Sequence, residues 1–419
     1  MQTAVQRFFQ SSLLRIVAFF SLLLSWTIPG RADSSQVQDV DLLFVGYEAG
    51  ETNIWIQLLS GWDTNLTTAV LTMGTATKLV QDAQLANVTT MDDLKIFCPK
   101  DQRDYSFSEK DLSNLDQIRC RCLVTGVFSR QQQQIAEHFA KQGSKVIAVW
   151  DNFSCFAQLP PSLTEFSPAV FSRASYVLTP TIECASDLNV LFYFQKAIAV
   201  GQPTLDIWEE KIKLVDRGKA FEKIHLSPDL PIVLFIGGYH ERGNNYYEAF
   251  DLFAKSLLRL QSSVQVLVQL HPRSNGSYEQ QILDKLAHEH PNFPRYFISN
   301  PTSHLSSFEA VAISSIGVTH RSTLAIQALF AGKSFVHVDV ADTTFSSFAI
   351  EKGLIPQVTR PVDATRIIDE LLLKEPFDLS TIYEKVGMFS EATQRMRTFL
   401  ESFLFQPSAE ENAAVPSNR

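Results

Sequence analysis

The segment VTHRSTLAIQALFAGKSFVHV, residues 318–338, sets His320, Arg321, Ser322 and Thr323 side by side where an apolar strand hands over to an apolar helix. A helix start needs one small polar residue, because a side-chain oxygen there accepts from an otherwise unpartnered backbone N–H. That accounts for one hydroxyl. Two hydroxyls, an imidazole and a guanidinium at the positive end of a helix suit a dianionic phosphate. Gly332 then closes the helix in the position where a left-handed glycine is favoured. Two other strand ends carry related groups. His271-Pro272-Arg273 follows the apolar run 264–270. The imidazole can donate to a phosphate oxygen and Arg273 can add a bidentate contact; a capping His in an ordinary loop is the plainer alternative. Gly237-Gly238 follows 232–236, and paired glycines let a backbone approach an anion closely, although a tight turn uses the same residues.

Acids occupy the corresponding loops nearer the N-terminus. Glu48 and Glu51 lie in GYEAGETN, directly after the first apolar strand. Carboxylates there would repel a phosphate and suit hydroxyl binding or proton abstraction. Glu48, in the loop proper, is a candidate base. Glu51 reads more simply as an acid complementing the positive end of the next helix. Asp151 follows the strand 146–150 and is a second candidate base, with an Asx turn as the alternative. Ser172-Arg173 and Thr179-Pro180-Thr181 stand at further strand or helix ends, where Thr181 suits a helix cap.

These loops need a scaffold that gathers strand ends. From residue 40 short apolar runs alternate with helical stretches, the pattern of a parallel sheet covered by helices. Strands are expected over 42–45, 123–127, 146–150 and 176–178, with helices beginning at 52 and spanning 131–141 and 185–200. A more polar linker, 201–228, interrupts the pattern. Strands then fall at 232–236, 264–270, 312–317 and 335–338, with helices over 246–260, 278–288 and 323–330. The expected class is α/β: two doubly wound, Rossmann-like domains, 33–200 and 229–375, facing a central cleft. A helical segment, 376–405, and a polar tail, 406–419, complete the chain. In such sheets ligands sit beyond the carboxyl ends of the strands.

With 419 residues, 45% hydrophobic, the chain is long enough for two cores. A net charge of −9 argues against nucleic acid as the main partner. Residues 1–32 read as a signal peptide: Arg7 and Arg15, an apolar run over 16–29, and Gly30-Arg31-Ala32 as a small-x-small cleavage site. Export to a periplasm or secretory pathway is expected; left uncut, the leader would anchor the chain. Five cysteines, Cys98, Cys120, Cys122, Cys155 and Cys184, leave at least one unpaired. They read as buried thiols, with a disulfide open to an exported chain. Sequons begin at Asn65, Asn87, Asn152 and Asn275. Neither a metal nor a cofactor is expected.

The strings FIGGY, LVQLHPR and SSIGVTHRSTLAIQALFAGKSFVHV resemble the nucleotide-binding domain of GT-B glycosyltransferases and the related UDP-N-acetylglucosamine 2-epimerases. Ser334 stands where that pattern has proline, and Gly201-Gln202-Pro203-Thr204-Leu205-Asp206 resembles the superfamily's interdomain hinge. A looser resemblance, to bacterial sialyltransferases, rests on His271-Pro272 and Ser322; Trp150-Asp151-Asn152 departs from their acidic motif at two of three positions. The resemblance implies a GT-B-like fold and transfer of a sugar from a nucleotide-sugar donor to a hydroxyl acceptor, on a glycan or a lipid carrier, without a metal. Donor phosphates would lie at Gly237, Gly238, His271, Arg273, His320, Arg321, Ser322 and Thr323, with Asp151 or Glu48 as base. Sugar-nucleotide epimerisation is an alternative. The leader favours a different one, an exported two-lobed binding protein for sugars or glycans without catalysis.

Overall fold

The structure, a computed structural model, describes residues 37–100, 102–237, 245–271, 274–300, 304–340, 348–374 and 378–405. The leader and the tail lie outside the described residues. Two parallel sheets dominate. The first contains β1 (Gln38–Gly46), β2 (Thr68–Thr72), β3 (Val88–Thr90), β4 (Ile118–Thr125), β5 (Lys145–Val149), β6 (Tyr176–Thr179) and β7 (Ala197–Ala199), in spatial order β3-β2-β1-β4-β5-β6-β7. The second contains β8 (Ile232–Gly237), β9 (Gln265–Gln269), β10 (Tyr296–Ser299), β11 (Ile316–His320), β12 (Phe335–Val338) and β13 (Gln357–Val358), in order β10-β9-β8-β11-β12-β13. Strand order reverses beside β1 and beside β8, so a crevice opens at the carboxyl ends of β1 and β4 and of β8 and β11.

The central strands read as unbroken apolar runs because helices cover both faces. Leu43, Val45, Leu123 and Trp150 belong to one core of the first sheet; Leu42, Phe44, Val124 and Ile147 belong to the other. The second sheet divides in the same way, with Leu234 and Ile236 on one side and Val233 and Phe235 on the other.

Several elements differ from the sequence expectation. The run 312–317 is not one strand: Ala312 and Ile313 end a helix, Ser307–Ile313, and β11 starts at Ile316. Ser306 caps that helix by accepting from Glu309 N, while Glu309 returns a bond to Ser306 N at 2.8 Å, so the reciprocal cap fixes the start. The stretch 185–200 is not one helix. The helix Ile182–Leu191 ends early, Tyr193 takes a left-handed φ of 50°, and the chain turns back as β7. Residues 201–228 are largely helical, in Pro203–Leu214 and Arg217–Ile224. The last helix, Ala392–Phe405, returns to the first sheet, where Met396, Leu400 and Leu404 join its core. Arg397 locks it by donating to the carbonyls of Leu58 (2.8 Å) and Ser60 (2.7 Å).

Candidate functional site

On the first sheet the site grows from the turn after β1. Glu48 precedes the helix Ala49–Leu59 as its N-cap. Glu51 points back, and its Oε1 accepts from Tyr47 N (2.9 Å), Glu48 N (2.8 Å) and Gln132 Nε2 (3.0 Å). These donors favour the ionised carboxylate, against the effect of its burial. Gln132 is itself placed by the helix Arg130–Lys141, where its Oε1 accepts from Phe128 N at 3.1 Å. Glu51 is therefore more than an acid at a helix start. It is only 2% exposed, and it lies beside Asp151.

Asp151 follows β5 and Trp150. Its backbone oxygen accepts from Gln202 Nε2 at 3.0 Å, tying it to the segment that joins the lobes. The Asx turn belongs to its neighbour: Asn152 Oδ1 accepts from Ser154 N at 2.8 Å. Gly50 carries the close approach. A Cβ added there would come within 1.8 Å of Asp151 Oδ2. Gly50→Ala is expected to displace the Asp151 carboxylate and to cost about tenfold or more in any turnover that uses it. Normal activity in that variant, measured on folded protein, would remove Asp151 from the chemistry.

Burial raises the affinity of all three carboxyls for a proton. Glu51 is pushed up to about 8, by burial first and by the Asp151 charge second. Asp151 is pushed up to about 7, by burial and then by Glu48. Glu48 also moves up through burial, against the pull of the Arg103 guanidinium. Three negative charges cannot be held together in so small a volume, so Glu51 and Asp151 retain a proton between them near neutral pH. Pairs of this kind divide acid and base roles in many active sites.

On the second sheet, His320 is the last residue of β11 rather than part of the helix start. It is 1% exposed, and its Nδ1 bonds the Val338 carbonyl at 3.0 Å. Its ring stacks on His337 with centroids 6.0 Å apart. The imidazole expected at the phosphate is thus buried, next to His337. Arg321 follows in a left-handed conformation, φ 51°. Its backbone N–H donates to His337 Nε2 at 3.3 Å, and its Nη2 lies 3.5 Å from Oδ2 of the fully buried Asp339. Burial holds the His337 ring down to about 4, so it is neutral and accepts. Ser322 caps the helix Thr323–Leu329, its hydroxyl accepting from Leu324 N at 3.3 Å. Donor atoms of His320, His337 and Asp339 all lie within 4.8 Å of one another, the group best placed among the described residues to hold a metal. The Arg321 guanidinium already supplies a positive charge there.

Gly237 ends β8, and its lack of a side chain has a packing cause. A Cβ would meet Tyr246 at 2.3 Å and Phe235 at 2.8 Å. His271 follows β9 half-buried, its carbonyl accepting from Ser274 N at 2.8 Å. Gly238, Arg273 and the Thr323 side chain lie outside the described residues. Lys333, in the AGKS turn, donates to the Ser314 carbonyl at 2.7 Å and so joins that turn to the end of the helix Ser307–Ile313. The lobes meet next to Asp151: Phe153 stacks on Phe348 with centroids 5.4 Å apart, and Gln158 donates to Glu351 at 3.2 Å. Asp151, Glu51 and Glu48 thus stand at strand ends of one lobe, and Arg321 and Ser322 at strand ends of the other. The pairing of Glu51 with Asp151 and the Asp339–His337 support of Arg321 were not foreseen, because both join residues far apart in sequence.

No family model and no curated protein matches the chain. Solved structures do. UDP-N-acetylglucosamine 2-epimerase from Neisseria meningitidis, bound to UDP-GlcNAc, matches with a TM-score of 0.64 at 15% identity, over 87% of this chain and 100% of that one. The epimerase from Methanocaldococcus jannaschii matches with a TM-score of 0.64 at 10% identity, over 87% and 100%. A glycosyltransferase from Rickettsia africae matches with a TM-score of 0.58 at 12% identity, over 88% and 100%. The chain has the two-lobed, GT-B-like fold these proteins share.

Proposed function

We propose that the protein binds a nucleotide sugar between its lobes and performs carboxylate acid–base chemistry on it. The observation that carries this reading is the buried Asp151–Glu51 pair, held at one set of strand ends while Arg321 and Ser322 occupy the other. A UDP-N-acetylhexosamine is the first donor to try, since two of the similar proteins are crystallised with UDP-GlcNAc. Arg321 would bind and stabilise the diphosphate, and its charge would favour the leaving nucleotide in the transition state. Asp151 would take a proton from the reacting hydroxyl, with Glu51 sharing it.

Sugar transfer to a hydroxyl acceptor requires one such base. Epimerisation of the donor sugar requires both a base and an acid, and the presence of two proton-sharing carboxyls favours that second reading. Titration of the chain from residue 33 onward with UDP, CMP, GDP and ADP tests the shared premise. Saturable binding of one nucleotide is expected, weakened about three- to tenfold by Ser322→Ala, the usual cost of one hydrogen bond of about 1 kcal/mol. Binding of none, by folded protein, would overturn the premise in favour of an exported binder of free sugars. Incubation with UDP-GlcNAc in deuterated water then separates the two reactions. Solvent deuterium entering the recovered sugar nucleotide identifies epimerisation; release of UDP only when an acceptor is present identifies transfer.

A further inference from the structure

The loop that carries Asp151 ends at Cys155, which begins the short turn Phe156–Gln158. Its Sγ lies 3.7 Å from Sγ of Cys184, on the helix Ile182–Leu191. Both residues are buried, at 7% and 0% exposure. The Cys184 thiol also reaches the Phe153 carbonyl at 3.4 Å, and Thr181 caps its helix by accepting from Cys184 N at 3.1 Å. These contacts hold Cys184 in place beside Cys155. The other three cysteines are set apart: Cys98 contacts the Pro99 carbonyl, Cys120 the Ser144 hydroxyl, and Cys122 the Leu123 carbonyl. Cys155 lines a surface pocket with Gln158, Ile182, Glu183 and Lys352, and Cys184 does not.

We propose that Cys155 and Cys184 form a redox-active dithiol that closes to a disulfide, fastening the Asp151 loop to the helix Ile182–Leu191. The oxidant is a disulfide, either a small molecule or an exposed protein disulfide. The Cys155 thiolate attacks one of its sulfurs, forms a mixed disulfide and expels the first thiolate. The Cys184 thiolate then attacks the Cys155 sulfur, closes the bridge and expels the second. The two protons lost by the cysteines end on the two released thiols, and the two electrons reduce the oxidant. Closure requires the sulfurs to move together from 3.7 Å to about 2 Å, a rotation about the side chains. Both cysteines lie beside the Glu183 and Asp187 carboxylates, which favours a neutral disulfide over an anionic one.

The bridge itself is independent of the proposed function; only its consequence for Asp151 rests on that reading. The test treats the folded, reduced, full-length protein with hydroxyethyl disulfide, a neutral probe. Remaining thiols are then alkylated, and peptides are mapped without reduction. The expected result is a fall from five reactive thiols to three on subsequent unfolding, with the Cys155 and Cys184 peptides joined. Hydrogen exchange over 151–158 should slow in the bridged form and return to the original rate on reduction. Cys184→Ser should instead stop at a mixed disulfide on Cys155. Five thiols remaining after treatment, or a stable mixed disulfide on Cys155 of the unmodified sequence, would overturn the proposal. Neither outcome would bear on nucleotide binding or on the role of Asp151.

Discussion

Asp151→Asn is expected to lower turnover by about 10²- to 10⁴-fold, the range for loss of a positioned general base, and to leave nucleotide affinity within about twofold. The substitution keeps the size of the side chain and the Gln202 bond to the Asp151 backbone; only the proton acceptor goes. The same variant should gain stability at neutral and alkaline pH. Glu51 and Asp151 take up protons at about 8 and about 7 in the native protein, against about 4 in the unfolded chain. Between those values the native state binds more protons than the unfolded state, so wild-type stability falls as pH rises from about 4 to about 8 and levels off beyond. With asparagine at 151 one titration vanishes and the like charge beside Glu51 is removed. The melting advantage of the variant should therefore grow between about pH 5 and pH 8, by on the order of 2 kcal/mol at about 1.4 kcal/mol per unit. Calorimetry at both pH values, together with single-turnover kinetics, checks the pair. A variant with unchanged turnover and no pH-dependent gain would show that the carboxyls do not share a proton.

The parts of this site that the sequence discloses are those set by local chemistry. Long apolar runs such as IVLFI in β8 mark central parallel strands, because nothing else buries both faces of an extended segment. The loops after β1, β5 and β11 follow from that placement, and Glu48, Asp151, Arg321 and Ser322 come with them. Short outer strands such as β3 and β13, at three and two residues, have too little pattern to stand out. The displaced boundary at 312–317 had a readable signal in Ser306-Ser307-Phe308-Glu309, a serine followed three residues later by glutamate, which starts the helix before the strand. Glu51 had no such signal. Its burial depends on Gln132, 81 residues away, and on Asp151, and long-range pairs of this kind leave no periodicity. The same holds for His320. Its neighbours suggest a ligand-facing cluster, yet its ring is buried beside His337 on β12.

Arg321→Ala is expected to weaken nucleotide binding by about tenfold or more, and also to destabilise the protein by about 3 kcal/mol, at the low end of the cost of breaking a buried ion pair. The second effect arises because Asp339 has no exposed surface while the Arg321 side chain is 25% exposed. Removing the cation leaves the carboxylate in the interior, with the Val340 N–H donating to it at 2.9 Å. Removing both partners takes away that buried charge. Arg321→Ala/Asp339→Ala should accordingly recover most of the lost stability while affinity stays low, since the group that meets the phosphate is still missing. Asp339→Ala alone keeps the guanidinium but releases it from its anchor, so a smaller affinity loss of about three- to tenfold is expected, comparable to one hydrogen bond. A double-mutant cycle measured by both denaturation and nucleotide titration separates the roles. If affinity returned with stability in the double variant, Arg321 would be holding the strand ends together rather than contacting the ligand. If neither single substitution changed affinity, the anion site would lie away from β11. Recovery of stability without affinity assigns Arg321 to the ligand and Asp339 to Arg321, a division of labour consistent with the buried carboxylate and the partly exposed cation.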